Sequence, residues 1–158
     1  MRVFLSATLV FMFCINVLAM EIGSQFTEAT LENQFAEPIT VSGETKWLVF
    51  VSEKDISKVV TEVLQEEKPN LEVAKVIYAS DISGMPSFIT KMVALPKMRK
   101  YDFKVALDKE GDVTKAWPRQ PGKATLFALD NLKITEIKYL GTKAEVKDFI
   151  KTLAVQVK

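Results

Sequence analysis

The sequence predicts an α/β domain of three layers, with a central mixed sheet and flanking helices. Two observations support this fold class. An apolar run, a segment with helical periodicity and a second apolar run follow one another over residues 47–79, which is the order of a β-α-β unit with parallel strands. Nearer the C-terminus, two β-favouring segments flank a short polar turn and precede an amphipathic helix, which indicates an antiparallel hairpin and a final helix.

The predicted β-α-β unit begins with Trp47–Val51, a continuous apolar run typical of a strand covered on both faces. A helix over Lys54–Glu66 follows. Its apolar residues recur at the spacing of one helical face, namely Ile56, Val59, Val60, Val63 and Leu64. Ser52 is the predicted N-cap, and Asp55 three residues later completes a capping box. The next strand is Val73–Ala79.

The middle of the chain predicts a second helix and a short strand. A turn over residues 81–86 leads into the helix, which ends at Leu95-Pro96. The apolar face of this helix contains Ile89, Met92 and Val93. Phe103–Leu107 favours a strand, and the Asp- and Gly-containing stretch 108–112 predicts a tight turn after it.

The C-terminal part predicts a hairpin and a helix. The hairpin strands are Ala124–Leu129 and Ile134–Leu140, joined by a turn at residues 130–133. The last helix begins at Gly141-Thr142. Its apolar face consists of Val146, Phe149, Ile150 and Leu153.

Residues 1–19 are typical of a secretory signal. Arg2 precedes an apolar run from Val3 to Leu18, and small residues stand three and one positions before a cut after Ala19. An uncleaved membrane anchor is the alternative, although a run of about 16 residues is short for the ~20 that a span needs.

We therefore expect residues 20–158 to be one domain in a periplasmic or secreted protein. An N-terminal arm over 20–45 contains a short strand near Ile39–Val41. Removing the signal leaves equal numbers of basic and acidic residues, which argues against nucleic acid as a partner. The remaining chain has no segment long and apolar enough for a transmembrane helix.

The composition excludes several kinds of catalysis. The chain has no histidine, and its one cysteine, Cys14, falls in the predicted signal segment. The expected mature form therefore has no Ser-His-Asp triad, Cys-His pair, dithiol redox centre or ordinary zinc site.

Three segments resemble known motifs. Residues 22–35 look like an opening arm, residues 107–113 like an "LD-x-x-G-x-V" turn, and residues 123–130 like an "x-P-T-x-F-x-x-D" strand. In this order they resemble the thioredoxin-like superfamily, in its peroxiredoxin and thiol-disulfide reductase branch, which implies a thioredoxin-like fold. Residues 81–99 are also similar to small exported bacterial proteins of unassigned function, some labelled FAD/FMN-containing dehydrogenase.

The sequence departs from that branch at both halves of the thiol site. The family's reactive cysteine, or C-x-x-C pair, follows the first long strand, where this chain has residues 52–57 without a cysteine. The family's cis-proline corresponds to Ala124. The departure predicts that the protein is neither a thiol oxidoreductase nor a peroxidase.

We accordingly expect a non-catalytic thioredoxin-like binding protein without a cofactor, whose partner is an envelope protein or a small ligand. A cofactor-dependent redox enzyme is one alternative, although no G-x-G-x-x-G fingerprint occurs. A methionine-based copper carrier is another, with Met85, Met92 and Met98 as candidate ligands for Cu(I). The simpler interpretation of these methionines is that they fill core gaps.

Two regions contain candidate ligand- or partner-binding residues. Ser52 and Lys54 stand at a predicted helix start, where anions bind, but capping and a solvated lysine also explain them. Trp117 and Arg119 lie in a proline-rich loop next to Ala124, and in this fold the loop faces that helix start. Trp117 is either an exposed anchor for a partner or part of the core edge.

The stretch Lys97-Met98-Arg99-Lys100 is a local basic cluster. It could meet anionic lipid or an acidic partner. Three charges are fewer than lipid-binding clusters usually have, so a solvated loop is the simpler interpretation.

Overall fold

The computed structural model describes residues 20–156, and the predicted signal segment at residues 1–19 lies outside this range. Within it, seven strands form one mixed sheet in the order β2-β1-β5-β4-β3-β6-β7. The strands are β1 (Ala29–Glu32), β2 (Pro38–Val41), β3 (Trp47–Val51), β4 (Val76–Asp81), β5 (Ala106–Asp108), β6 (Ala124–Asp130) and β7 (Lys133–Leu140). The helical elements are α1 (Lys54–Glu67), α2 (Ser87–Ile89), a π turn (Thr90–Ala94), α3 (Leu95–Met98) and α4 (Lys143–Gln156).

The predicted β-α-β unit is confirmed. β3 and β4 are parallel neighbours, with Trp47 opposite Val76 and Val51 opposite Ser80. β6 pairs antiparallel with the other edge of β3. Helices α1 and α4 pack together on one face of the sheet, over core residues such as Val49 and Leu126. Burial of these apolar side chains supplies the main driving force for folding.

The opposite face of the sheet is covered by irregular segments, and side chains of the first two strands extend the core on that face. Phe26 from the N-terminal segment, Leu31 and Val41 from β1 and β2, and Trp117 from the loop before β6 form a second core with β3 residues. The extended arm expected over 20–45 is therefore largely a β-hairpin. Its β2 matches the strand predicted near Ile39–Val41, whereas β1 was not predicted.

The C-terminal elements are also confirmed. In the turn between β6 and β7, Asn131 and Leu132 both have positive φ, at 47° and 65°, as a type I′ hairpin turn requires. Thr142 and Glu145 form a capping box before α4, because Glu145 N donates to Thr142 Oγ1 over 3.2 Å and Thr142 N donates to Glu145 Oε2 over 2.9 Å.

Two predicted strands begin three residues too early. β4 begins at Val76, because Asn70 Oδ1 accepts a bond from Val73 N in a turn and Lys75 adopts a left-handed φ of 55°. β5 begins at Ala106, because the side chain of Gln34 bonds the preceding backbone. Gln34 Oε1 accepts from Val105 N over 2.9 Å, and Gln34 Nε2 donates to Phe103 O over 2.8 Å.

The second helix differs from its prediction in orientation and length. Its predicted apolar face points to solvent, with Met92 exposed by 74% and Val93 by 57%. Leu95 and Met98 pack on the core instead. The helix also continues past Pro96, since the π turn, in which Leu95 N donates to Thr90 O, precedes it and Pro96 lies at the start of α3, where no N–H is needed.

The buried face of α1 predicts the effect of charge substitution. Val60 is 1% exposed, so Val60→Asp places an unpaired carboxylate in the core and should lower the free energy of unfolding by several kcal/mol. Lys58 has a side chain that is 74% exposed, and Lys58→Asp loses only a surface pair with Glu62, which should cost about 0.5 kcal/mol or less. Urea denaturation measures both, and equal midpoints would contradict this packing of α1.

Candidate binding site

The carboxyl ends of three parallel strands bring polar residues to one edge of the sheet. β3, β4 and β5 are mutually parallel. Ser52 follows β3, Asp81 ends β4 and Asp108 ends β5. This edge, with the loop that precedes β6, is where the sequence predicted its site.

The start of α1 is not capped as predicted. The N-cap is Glu53, no side chain bonds the first turn, and Ser52 is half-buried while Lys54 is exposed. Glu53 is in an extended conformation and its Oε1 accepts a hydrogen bond from Gly122 N over 3.0 Å. The helix start and the loop before β6 therefore meet, as expected, but Glu53 joins them. The capping-box interpretation of Ser52 and Asp55 is wrong.

Arg119 is held in place by its own neighbours. Its Nη1 donates to Asp81 Oδ2 over 3.1 Å and its Nη2 donates to Thr114 O over 2.6 Å. The guanidinium also lies over the ring of Phe50, 5.1 Å from its centroid. Cation–π contact and charge-assisted bonds together fix this side chain. Arg119 thus lies across this edge of the sheet, with two of its five N–H donors bonded to the protein.

Trp117 is a core residue, which excludes its use as an exposed anchor. The side chain is 3% exposed. Its ring centroid lies 5.2 Å from that of Phe26 and 5.1 Å from that of Phe50, both in tilted or edge-on geometry. No helix of the described chain contributes to the core on this face of the sheet, and Trp117 is one of the large side chains that fill it. The core alternative for Trp117 is the correct one.

Ala124 is likewise inaccessible. It is the first residue of β6, lies opposite Leu140 and is 0% exposed. All peptide bonds in residues 20–156 are trans. The buried Ala124 therefore packs beneath the surface of this edge and cannot contact a ligand.

Two aspartates at this edge are satisfied within the protein. Asp81 Oδ1 accepts from Ser83 N and from Ser83 Oγ, at 3.0 and 2.7 Å. Burial alone would raise the pKa of Asp81, but the hydrogen bonds from Ser83 and Arg119 outweigh it and hold the pKa below its usual value. Asp108, which is 3% exposed, accepts from the backbone N–H groups of Gly111 and Thr114. Both carboxylates thus have structural partners, as turn-forming aspartates do.

The three methionines considered for copper lie in different surroundings. Met92 is 74% exposed, Met98 packs against the core, and Met85 is half-buried in the turn before α2. Among residues 20–156, no cluster of three or more His, Cys, Asp or Glu side chains could hold a metal ion. No helix of the described chain is long and apolar enough to span a bilayer.

The described chain has a concavity that the sequence did not predict. It is an open groove of about 880 Å³ at the opposite edge of the sheet, next to the start of β4. We call it the β2–β4 groove. Its apolar lining comes from Phe35, Ile39, Ile77, Tyr101 and Phe103. Three separate stretches of chain, 35–45, 68–78 and 101–104, contribute to it, so no local motif in the sequence could have indicated it.

The three lysines that line the β2–β4 groove each pair with a carboxylate. Lys68 Nζ lies 3.4 Å from Asp102 Oδ2, and Lys75 Nζ lies 2.9 Å from Glu44 Oε2. Lys104, also in the lining, pairs with a glutamate of the β1–β2 turn at 3.2 Å. The groove therefore presents an apolar and aromatic floor with a rim whose lysines are all neutralised.

Comparison with known proteins identifies the fold. No family model and no curated protein matches the sequence. Among solved structures, peroxidoxin BcpB from Mycobacterium tuberculosis superposes with a TM-score of 0.58 at 15% identity, covering 86% of this chain and 97% of that one. A putative thiol:disulfide interchange protein DsbE from Chlorobium tepidum gives 0.59 at 15% identity, covering 87% and 98%.

A peroxiredoxin-like protein from Aquifex aeolicus gives a TM-score of 0.56 at 14% identity, covering 85% of this chain and 88% of that one. Likeness at such identity shows the fold alone. The chain has the thioredoxin-like α/β fold that its sequence predicted, and its single cysteine means that it has no catalytic cysteine pair.

The lowered pKa of Asp81 predicts a specific dependence of stability on pH. A carboxylate whose pKa is lower in the folded state stabilises the fold fully above its unfolded pKa, near 3.8, and loses that contribution as the pH falls through the folded value. Asp81→Asn should therefore lower the melting temperature at neutral pH, with a deficit that shrinks below about pH 4. Thermal scans across this range measure it.

Asp112→Asn is the matched control, because the Asp112 side chain is 83% exposed. It should leave the melting temperature nearly unchanged at every pH. A deficit for Asp81→Asn that stays constant down to strongly acidic pH would contradict the assigned role of the Asp81 carboxylate.

Proposed function

We propose that this chain is an exported, non-catalytic binding protein on a thioredoxin-like scaffold, and that the β2–β4 groove holds its ligand. Cleavage after Ala19 would leave residues 20–158 as the exported domain, in the periplasm or outside the cell. The observation that supports the proposal best is the contrast between the two edges of the sheet. At the edge near the start of α1, Glu53 and Arg119 form hydrogen bonds within the protein. At the opposite edge, the β2–β4 groove is open.

The edge at the start of α1 lacks what thiol chemistry needs. Disulfide exchange and thiol-dependent peroxide reduction both require a thiolate. Residues 52–57 contain none, and the Glu53 carboxylate bonded to Gly122 occupies this edge instead. Of the predicted site residues, Lys54 and Arg119 are exposed and Ser52 is half-buried, whereas Trp117 and Ala124 are buried.

The β2–β4 groove has the size and lining of a ligand site. Its volume of about 880 Å³ falls in the usual range for small-molecule pockets, about 300–1,000 Å³. Its aromatic and aliphatic floor favours apolar surface on the ligand. Its lysines are already paired with carboxylates, so a charged ligand would have to break ion pairs to gain new ones. The ligand class that fits is an uncharged amphipathic molecule.

The absence of a thiol near the start of α1 predicts the outcome of activity assays. The full chain should show no thiol-dependent peroxide consumption and no disulfide exchange above the rate of the same chain with Cys14→Ser. The reason is that Cys14 is the one thiol in the sequence and falls within the predicted signal. Peroxide loss and insulin reduction are the measurements. Turnover that survives Cys14→Ser would overturn the non-catalytic assignment, and a visible flavin band in the same sample would redirect it to a cofactor enzyme.

The apolar lining of the β2–β4 groove predicts that it binds a neutral aromatic probe. The neutral fluorophore N-phenyl-1-naphthylamine should bind the protein and brighten. Phe35 is 46% exposed and lines the groove, so Phe35→Ser should weaken this binding by about tenfold without unfolding the protein. Ile22→Ser is the matched control, since Ile22 is 63% exposed and does not line the groove.

Lys54→Ala tests the other edge in the same titration. Loss of binding with Lys54→Ala but not with Phe35→Ser would move the ligand to the start of α1. Equal loss with Phe35→Ser and Ile22→Ser would mean that the probe adheres to any exposed apolar side chain, and the groove would be rejected as the binding site.

A further inference from the structure

Exposed apolar side chains are concentrated on one short part of the molecule. The large apolar residues exposed among residues 20–156 are Ile22, Phe35, Val73, Phe88, Met92 and Val93. Three of them fall within six residues of sequence, on the helical stretch Ser87–Met98, which we call the 87–98 segment. Clusters of exposed apolar side chains mark sites that bind a membrane or another protein.

These side chains share one face of the segment. Phe88 and Met92 are four residues apart, which makes them neighbours on a helical surface. Ile89 and Val93 have the same spacing and extend the face. The inward positions are taken by other residues of the segment, namely Thr90, which is buried, and Leu95 and Met98, which pack on the core. The fold therefore directs the more apolar side of this helix outward.

The charges around this face have one sign. Residues 82–101 contain four basic residues, Lys91, Lys97, Arg99 and Lys100, and no acidic residue. All four are exposed. None forms an ion pair within residues 20–156, whereas most other lysines there do. The nearest acidic residues in sequence, Asp81 and Asp102, are themselves paired with Arg119 and Lys68.

We infer that the 87–98 segment is a peripheral membrane-binding element that docks on an anionic lipid bilayer. Exposed Phe, Met and Val side chains on a helical segment that also carries exposed basic residues are the pattern of helices that lie in the bilayer interface. The apolar side chains enter the boundary between headgroups and acyl chains. The four cations bind the lipid phosphates, and their number reaches the lower limit for recognition of anionic lipid.

An acidic protein partner is a poorer match to the same surface. Specific protein interfaces use paired hydrogen bonds as well as apolar contact. Residues 82–101 contain no Asp, Glu, Asn or Gln side chain, so the segment offers few groups for directional bonds beyond its three lysines, Arg99 and its hydroxyls. A bilayer surface needs only charge and apolar insertion, which this segment supplies.

Vesicle flotation of the full chain tests the inference. The protein should float with vesicles that contain phosphatidylglycerol and much less with phosphatidylcholine alone. Replacing Lys91, Lys97 and Lys100 together by Gln should weaken the partitioning on the order of 100-fold. Replacing Phe88 and Met92 by Ser should weaken it by about tenfold, since both side chains are already exposed and their loss leaves the core intact.

Matched controls make the result specific to the segment. The combined variant Lys123→Gln, Lys133→Gln and Lys151→Gln removes the same charge from exposed lysines elsewhere. The combined variant Ile22→Ser and Val73→Ser removes exposed apolar surface elsewhere. Both controls should float like the unmodified chain. Equal losses in controls and segment variants would overturn the inference. Flotation that no segment variant changes would do so too, and would assign any membrane attachment to residues 1–19. Capture of an acidic protein without vesicle binding would replace the bilayer by that partner.

Discussion

The parallel pairing of β3 with β4 determines where every other feature of the molecule lies. Its register runs from Trp47 opposite Val76 to Val51 opposite Ser80, so both strands begin together and end together. The loops after them form one edge, which is occupied by the contacts of Glu53 and Arg119. The loops before them form the other edge, where the β2–β4 groove opens. The crossover helix α1 then packs across both strands.

The sequence was informative wherever several local signals agreed. β3 is a continuous apolar run, α1 has clear helical periodicity, and the β6–β7 hairpin and α4 combine apolar patterns with a turn or cap. The structure confirms these elements, although not the predicted cap of α1. The start of β4 could not be predicted, because Val73 continues the apolar pattern and only the left-handed Lys75 breaks it. The 87–98 segment shows a further limit. Periodicity identifies which residues share a face, but packing decides whether that face meets the core or the solvent.

The candidate site depends on contacts between distant residues, which explains why local reasoning found only part of it. The bond from Gly122 to Glu53 joins positions 69 apart in sequence, and Glu53 was not among the predicted residues. Trp117 looked equally suited to a surface and to the core until the neighbouring rings of Phe26 and Phe50 were known. The predicted meeting of loop and helix start is correct, whereas the residues that make the contact are different.

Gln34 has a consequence for the local stability of the groove. The ladder between β1 and β5 comprises one residue pair, Glu32 with Leu107, and beyond it the buried Gln34 side chain carries the hydrogen bonding to Phe103 and Val105. Gln34 thus joins the β1–β2 hairpin to residues 103–105, and both of these stretches line the groove. Native-state amide exchange in the hairpin and in residues 103–105 should therefore occur through one shared opening, and a ligand in the groove would slow both regions together.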